Sequence, residues 1–295
     1  MKFSIVKNSK IWFSFSAVLV FLSLALVVFG ALKFSIDYTG GSFLELKFEN
    51  EIARDEVSKI FRESLGDEKS EKILQIENGV QIRAKELADE EKEKFFESLK
   101  SNEIEFEILK AVSVGPSVGA IFKKRAAMSL IFAGIAIVAF LAFAFRRTPA
   151  GLSSWKFGIV AIVALLHDVL ITIGVFAILG FLQNVEVDAL FLTALLTVMG
   201  FSVHDTIVVF DRVRENLKGR KSTKNLPEIA EAALWQTMRR SIYTSVSTLI
   251  VLVFLLFFGG ASLFYFTLAL IVGIVVGTYS SIFLATPLLV FWSKK

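Results

Sequence analysis

The sequence predicts a membrane α-helical bundle of six transmembrane helices that carries one small α+β domain of ferredoxin-like order. Three observations predict it. The chain of 295 residues is 55% hydrophobic, with 30 Phe and a mean hydropathy of +0.65, more apolar than a soluble domain of this size. Six long apolar stretches lie near residues 11–32, 127–145, 157–180, 188–210, 242–258 and 262–290. Between the first two, residues 33–118 carry an excess of acids and no run long enough to span a bilayer.

Phe, Leu, Val, Ile and Ala dominate each stretch, and most reach the roughly 20 residues that cross a hydrocarbon core of about 30 Å. Backbone groups in lipid have no water to bond, so these stretches are expected to be helices. The first follows Lys2, Lys7 and Lys10. It is longer than the apolar core of a signal peptide and no small-residue cleavage site follows, so it reads as a permanent helix.

Orientation follows from Lys and Arg. Lys2, Lys7 and Lys10, then Arg146, Arg147 and Lys156, then Arg212, Arg214, Lys218, Arg220, Lys221, Lys224, Arg239 and Arg240, and finally Lys294 and Lys295 all fall on one side if six helices span. The opposite connections, Gln183 to Asp188 and Gly259 to Ser262, hold no base. Both termini are therefore expected in the cytoplasm and residues 33–118 outside. Lys123, Lys124 and Arg125 depart from the pattern and are expected to snorkel to headgroups or pack on a partner. Pro149 and Gly151 mark a cytoplasmic turn. Gly219 to Pro227 reads as a polar loop within a cytoplasmic segment at about 211–240. Pro227 and Glu228 then open a short helix whose apolar side (Ile229, Ala232, Ala233, Leu234, Trp235, Met238) is expected to lie along the inner membrane surface.

Within 33–118 the order is β-α-β-β-α-β. Ser42–Phe48 alternates as a strand. Glu51–Leu65 has helical spacing through Ile52, Val57, Ile60 and Phe61. Lys72–Glu77 and Val80–Ala84 flank the turn signal Asn78-Gly79. Lys85–Lys100 is a second helix with Leu87, Phe95, Phe96 and Leu99 on its apolar face. Ile104–Val112 alternates as the last strand. Pro116 and the glycines of Val114–Gly119 mark the return to the membrane. The domains are read as 1–32, 33–118 and 119–295.

No Cys is present and only two His, which excludes disulfides and thiolate metal sites. No P-loop, HExxH or GxSxG occurs, so hydrolytic or redox chemistry is not expected, and no metal site or cofactor is predicted. Net charge is +4, with the bases at helix ends rather than in an aromatic-interleaved patch, which suits membrane topology and not nucleic acid. The informative residues are acids inside apolar helices, Asp168 and Asp205. An Asp at a helix centre costs about 3 kcal/mol on insertion scales, so it should face the bundle interior or water. Ser202, Asp205, Thr206 and Val209 recur at spacings of three and four and share one face. A carboxyl group in apolar surroundings holds its proton more firmly, and a nearby guanidinium opposes this. Asp205 could therefore load and release a proton as an arginine leaves and returns, with Arg239 and Arg240 as the arginines in reach. Plain readings stand beside this one. Asp205 lies past the midplane toward the cytoplasm and could serve a structural hydrogen bond, as could Asp168. His204 could be a packed neighbour. Asp211, Arg212, Arg214 and Glu215 could be a solvated helix end, and Arg239 and Arg240 topology anchors. Gly273-x-x-x-Gly277, with Gly259-Gly260, allows close helix packing.

Several runs together resemble the SecD/SecF family of bacterial protein-export membrane proteins, in particular its smaller, SecF-type members. They are Asp37-Tyr38-Thr39-Gly40-Gly41, Val114-Gly115-Pro116, His167-Asp168-Val169, the long run from Gly200 to Asn216, Gln236–Ser241 with Thr244-Ser245, and Phe258-Gly259-Gly260. The resemblance implies half of an RND-type membrane fold, a SecD partner completing a twelve-helix unit in the bacterial inner membrane, and a periplasmic location for 33–118. It further implies work with the SecYEG translocon, YajC and unfolded preprotein substrates, driven by a transmembrane proton gradient, with sodium as the alternative ion. It assigns the proton relay to Asp205 and Arg240, beside which the reading of the residues themselves sets His204, Arg239, Asp168, Ser202 and Thr206 as auxiliary candidates. His204 stands where the family often has Asn. Two other functions remain open at this stage: a passive scaffold for SecD and the translocon, and half of an RND-type small-molecule exporter.

Overall fold

A computed structural model describes residues 4–50, 52–76, 79–146, 153–218 and 226–293. Lys2, Asn78, Arg147, Pro149, Gly151, Gly219, Arg220, Lys221, Lys224, Lys294 and Lys295, on which parts of the turn and charge readings rest, lie outside the described residues. In chain order the elements are α1 (Ser9–Val28), β1 (Lys33–Phe34), α2 (Ile36–Thr39), β2 (Gly41–Phe48), α3 (Arg54–Leu65), β3 (Ser70–Ile76), β4 (Gly79–Ala84), α4 (Asp89–Ser101), β5 (Phe106–Val114), α5 (Pro116–Ala144), α6 (Ser154–Gln183), β6 (Glu186–Val187), α7 (Ala189–Leu217), α8 (Leu226–Phe258), α9 (Ala261–Ser280), a π-helical turn (Ser281–Ala285) and α10 (Thr286–Ser293). Two units emerge: Met1–Lys33 with Met128–Lys295, and Phe34–Ala127.

In the second unit the strand order is β3-β4-β2-β5, antiparallel throughout, which is the ferredoxin-like arrangement the sequence predicts. The inward residues of β2 and β4 (Leu44, Leu46, Val80, Ile82) meet Val57 and Phe61 of α3 and Phe95 and Leu99 of α4. The rings of Phe61 and Phe95 stand edge to face at 5.0 Å. The last strand begins at Phe106 rather than Ile104, and its expected alternation fails. Register along β2 passes from Glu45↔Lys110 to Leu46↔Ile108, so Leu109 is the extra residue of a bulge, and β5 is an edge strand along which Ile108 and Leu109 stay exposed. The two motifs bracketing the domain meet through their backbones. Gly40 has φ +74°, and a Cβ on it would stand 2.7 Å from Cα of Pro116. A Cβ on Gly119 would stand 2.7 Å from the Gly40 nitrogen. Only glycine fits this crossing.

Among the described residues, six helices are long and apolar enough to span a bilayer, and the chain is a multi-pass membrane protein. Three details differ from expectation. α5 begins at Pro116, so Lys123–Arg125 ride on its first turns; Pro needs no N–H partner there, and Val118–Phe122 continue the helix. The short surface helix from Pro227 is not separate, because α8 runs unbroken to Phe258 with no Gly or Pro after its first turn. The last stretch is interrupted by the π-helical turn just before Pro287. Pro287 offers no N–H and its ring crowds the carbonyl four residues back. The widened turn relieves that crowding, and the Thr286 hydroxyl donates to the Ser281 carbonyl at 3.3 Å.

α6, α7 and α9 form the centre, each more than or about half buried, while α1, α5 and α8 are largely exposed. Small residues set the approach distances. A Cβ on Gly174 of α6 would meet Ser23 Oγ of α1 at 2.1 Å, and one on Gly273 of α9 would meet Val198 Cγ2 of α7 at 2.2 Å. The chain start is tied down by Glu231 of α8, whose carboxylate accepts from the backbone N–H groups of Ile5 and Val6 at 3.0 and 2.8 Å.

Candidate functional site

The polar stripe predicted on α7 is real and turned inward: Ser202, Asp205, Thr206 and Val209 are all buried. It lies in the seam against α9 because Gly277 lets the two backbones close up, with Ser202 Cα 3.3 Å from where a Gly277 Cβ would be. Two carboxylates sit in this seam. On the α6 side, Asp168 is fully buried. Its Oδ2 accepts from the hydroxyls of Ser202 on α7 and of Ser280 on α9, the latter at 2.8 Å. Its Oδ1 lies 2.9 Å from His167 Nδ1. Thr172, one turn on, donates to the Asp168 carbonyl at 2.8 Å.

On the α8 side, Asp205 is 1% exposed. Ser245 of α8 lies 3.4 Å from its Oδ2 and 2.7 Å from the hydroxyl of Thr278 on α9, which in turn lies 2.8 Å from the Ile274 carbonyl. This chain of hydroxyls can run in either direction. With Asp205 neutral, the acid donates to Ser245, Ser245 to Thr278, and Thr278 to the carbonyl. With Asp205 ionised, Ser245 donates to the carboxylate and Thr278 to Ser245. Either protonation state is thus hydrogen-bonded by the same hydroxyls.

The other predicted residues are placed as follows. Ser202 and Thr206 do not bond Asp205; Ser202 serves Asp168, and Thr206 donates to the Ser202 carbonyl at 3.2 Å. The His204 side chain is 59% exposed, with Nδ1 3.9 Å from Asp205 Oδ1. Arg239 is exposed and its Nε donates to the Tyr243 hydroxyl at 3.1 Å. Arg240, on the turn of α8 before Ser245, is exposed and makes no ion pair with Asp205 among the described residues. Asp211–Glu215 is a surface helix end, with pairs Arg214–Asp211 and Arg212–Glu215, and Arg212 reaches Gln236 of α8 at 2.7 Å. Sequence reasoning missed Thr278 and Ser280. Their signal was the polar run Thr278–Ser281 inside an otherwise apolar stretch. Among the described residues no group of three or more His, Cys, Asp or Glu is placed to hold a metal ion.

Residues 94–295 match the family described as "Protein export membrane protein SecD/SecF, C-terminal". The chain belongs to the SecD/SecF family. Among its relatives, the protein translocase subunit SecF of Thermobaculum terrenum is 43% identical over 281 residues, 92% of this chain and 87% of that one. The SecF subunit of Sebaldella termitidis is 36% identical over 292 residues, 98% and 91% of the two chains. The crystal structure of SecDF from Thermus thermophilus, titled a translocon-associated membrane protein, superposes with a TM-score of 0.85 at 31% identity. It is covered over all of this chain but only 39% of its own length. SecDF in a super-membrane-facing form matches with a TM-score of 0.70. The expected half of an RND-type membrane fold thus matches solved SecDF, and this SecD/SecF-family chain corresponds to a minor part of that longer polypeptide.

Proposed function

We propose that this chain is the SecF-type subunit of a protein-export complex in a bacterial inner membrane and that it turns a proton gradient into movement that assists preprotein translocation. The observation that carries the reading is Asp205: a carboxylate buried on a spanning helix, with a hydroxyl chain that accommodates both its protonation states, and with Arg240 on α8, the helix whose Ser245 meets it. In this reading Arg240 swings in from its exposed position to pair with the ionised acid and withdraws when the acid is protonated. The exchange repacks α7 against α8, with His204 and Arg239 on the adjoining turns and Ser202 and Thr206 lining the seam behind Asp205. The relatives named as translocase subunits support an export role, and the solved SecDF chain, longer than this one, supports a separate SecD chain as the missing half. The SecYEG channel, YajC and unfolded preprotein are the further partners this role implies. Coupling to sodium is the variant with the same residues.

The test is preprotein export into membrane vesicles carrying SecD with either wild-type chain or Asp205→Asn, with proton and sodium gradients collapsed separately. The expected result is that wild type loses its stimulation when the proton gradient is collapsed and that Asp205→Asn, assembled with SecD in equal amount, shows the unstimulated rate throughout. Gradient-dependent export at the wild-type rate by Asp205→Asn would leave only a scaffold.

A further inference from the structure

The Asp205 reading does not use the second carboxylate, Asp168, or the ring beside it. His167 is 5% exposed. Its Nδ1 faces Asp168 Oδ1 at 2.9 Å, and its Nε2 is buried with no hydrogen-bond partner among the described residues. The possible proton placements can be enumerated. If Asp168 is ionised, Nδ1–H, Ser202 and Ser280 all donate to it, and Nε2 carries either a bare lone pair or, in the imidazolium, an N–H. If Asp168 is the neutral acid, it donates to Nδ1 and the ring proton sits on Nε2. In each arrangement Nε2 needs a partner that the described residues do not supply, and a buried polar atom of this kind is ordinarily satisfied by water. Tyr279 of α9 stacks on the ring at 6.1 Å, with its hydroxyl 3.2 Å from Ser16 Oγ of α1 and 3.4 Å from the Trp12 carbonyl.

We infer that His167 and Asp168 form a second proton-exchanging centre in the bundle, whose ligand is a water molecule on His167 Nε2. Discharge starts from the neutral acid with the ring protonated at Nε2. The Oδ1 proton passes to Nδ1, giving carboxylate and imidazolium, and Nε2–H then gives its proton to the water oxygen, leaving carboxylate and a neutral ring protonated at Nδ1. Loading is the reverse. One proton crosses the ring per cycle, and Ser202 and Ser280 hold the negative charge between events. Among the described residues, Tyr279 of α9 stacks on the ring and Asp205 of α7 lies one turn beyond Ser202, while α1 reaches Tyr279 through Ser16 and the Trp12 carbonyl. The inference goes beyond the proposed function and does not depend on it.

Because the chain has only two His, nitrogen-15 histidine labelling of the full chain in lipid nanodiscs gives an NMR spectrum with two imidazoles, told apart by His204→Gln. The expected result is that the His167 ring changes from the Nε2–H to the Nδ1–H form as pH rises, that Asp168→Asn abolishes the change, and that Asp205→Asn leaves it in place. Ser280→Ala, which removes one donor without removing the acid, should displace the midpoint and covers the case in which Asp168→Asn fails to fold. A His167 ring held in one tautomer across the pH series, or a titration that neither variant alters, overturns the inference and makes the pair a fixed clasp between α6, α7 and α9. No gradient or preprotein is present in this measurement, so a failed export result for Asp205 leaves it untouched, and the reverse holds as well.

Discussion

Gly273 decides how closely α7 and α9 approach, because any side chain there would overlap Val198, whose Cγ atoms stand 2.2 and 2.6 Å from the Cβ position. Val198 is itself buried, so the overlap is not relieved by rotation into open space. Gly273→Ala is therefore expected to destabilise the bundle by about 1–3 kcal/mol, the usual range for overpacking. Gly200, with nothing within 4 Å of its Cβ position, supplies the control: Gly200→Ala should be neutral or stabilising by up to about 1 kcal/mol through helix propensity. Thermal unfolding of the two variants in detergent, followed by intrinsic fluorescence, should separate them, and equal melting temperatures would contradict the packing account. At this scale the sequence was informative about one acid and silent about the other's setting. Asp205, Ser202 and Thr206 announce a shared inward face by their spacing alone. That Ser202 serves Asp168 was not legible, because the second hydroxyl on the same oxygen comes from Ser280, 112 residues further along, and only the packing of α9 brings it there.

At the scale of elements, α4 shows what local sequence does and does not supply. Its N-cap, Ala88, is extended (φ −65°, ψ 162°) but has no side-chain oxygen. Glu91 reaches back to the Ala88 N–H at 2.9 Å, and Lys69 together with that N–H holds the Glu91 carboxyl below the usual carboxylate range. Half of a capping box is present, and Ser at position 88 would supply the other half by accepting from the Glu91 N–H. Ala88→Ser should stabilise α4 by about 1 kcal/mol, read as several-fold slower hydrogen exchange of its first-turn amides with β2 unaffected. Unchanged exchange would show that the turn is already held by tertiary packing. The ferredoxin-like order was legible because each strand and helix carries its own period. The extent of α8 was not: a polar, arginine-bearing half joined to an apolar half reads as two elements when hydropathy is the guide, yet the backbone meets no breaker between them. The π-helical turn was likewise hidden, since Pro287 signals a disturbance without saying which geometry absorbs it.

For the whole molecule, orientation is the property on which every gradient argument depends, and it rests on where the bases lie. Among the described residues, Lys7, Lys10, Arg146, Lys156, Arg212, Arg214, Lys218, Arg239 and Arg240 lie at one set of helix ends, while Lys33 and Lys123–Arg125 lie at the other. In the second group Lys33 bonds the Asn184 side chain, and Lys123 lies over the Phe34 ring at 5.4 Å. The larger group outnumbers the smaller and is expected to govern, placing the 34–127 unit outside. The absence of Cys makes this directly measurable, because a single introduced thiol is the only one in the chain. Lys59 on α3 and Glu215 at the end of α7 are suited to carry it, with side chains 76% and 56% exposed. A membrane-impermeant maleimide added to intact spheroplasts should label Lys59→Cys fully and Glu215→Cys only after the membrane is broken. The opposite pattern would put Arg239 and Arg240 on the outer face, leave Asp205 nearer the outer solution than the inner, and reverse the direction in which any gradient could load it.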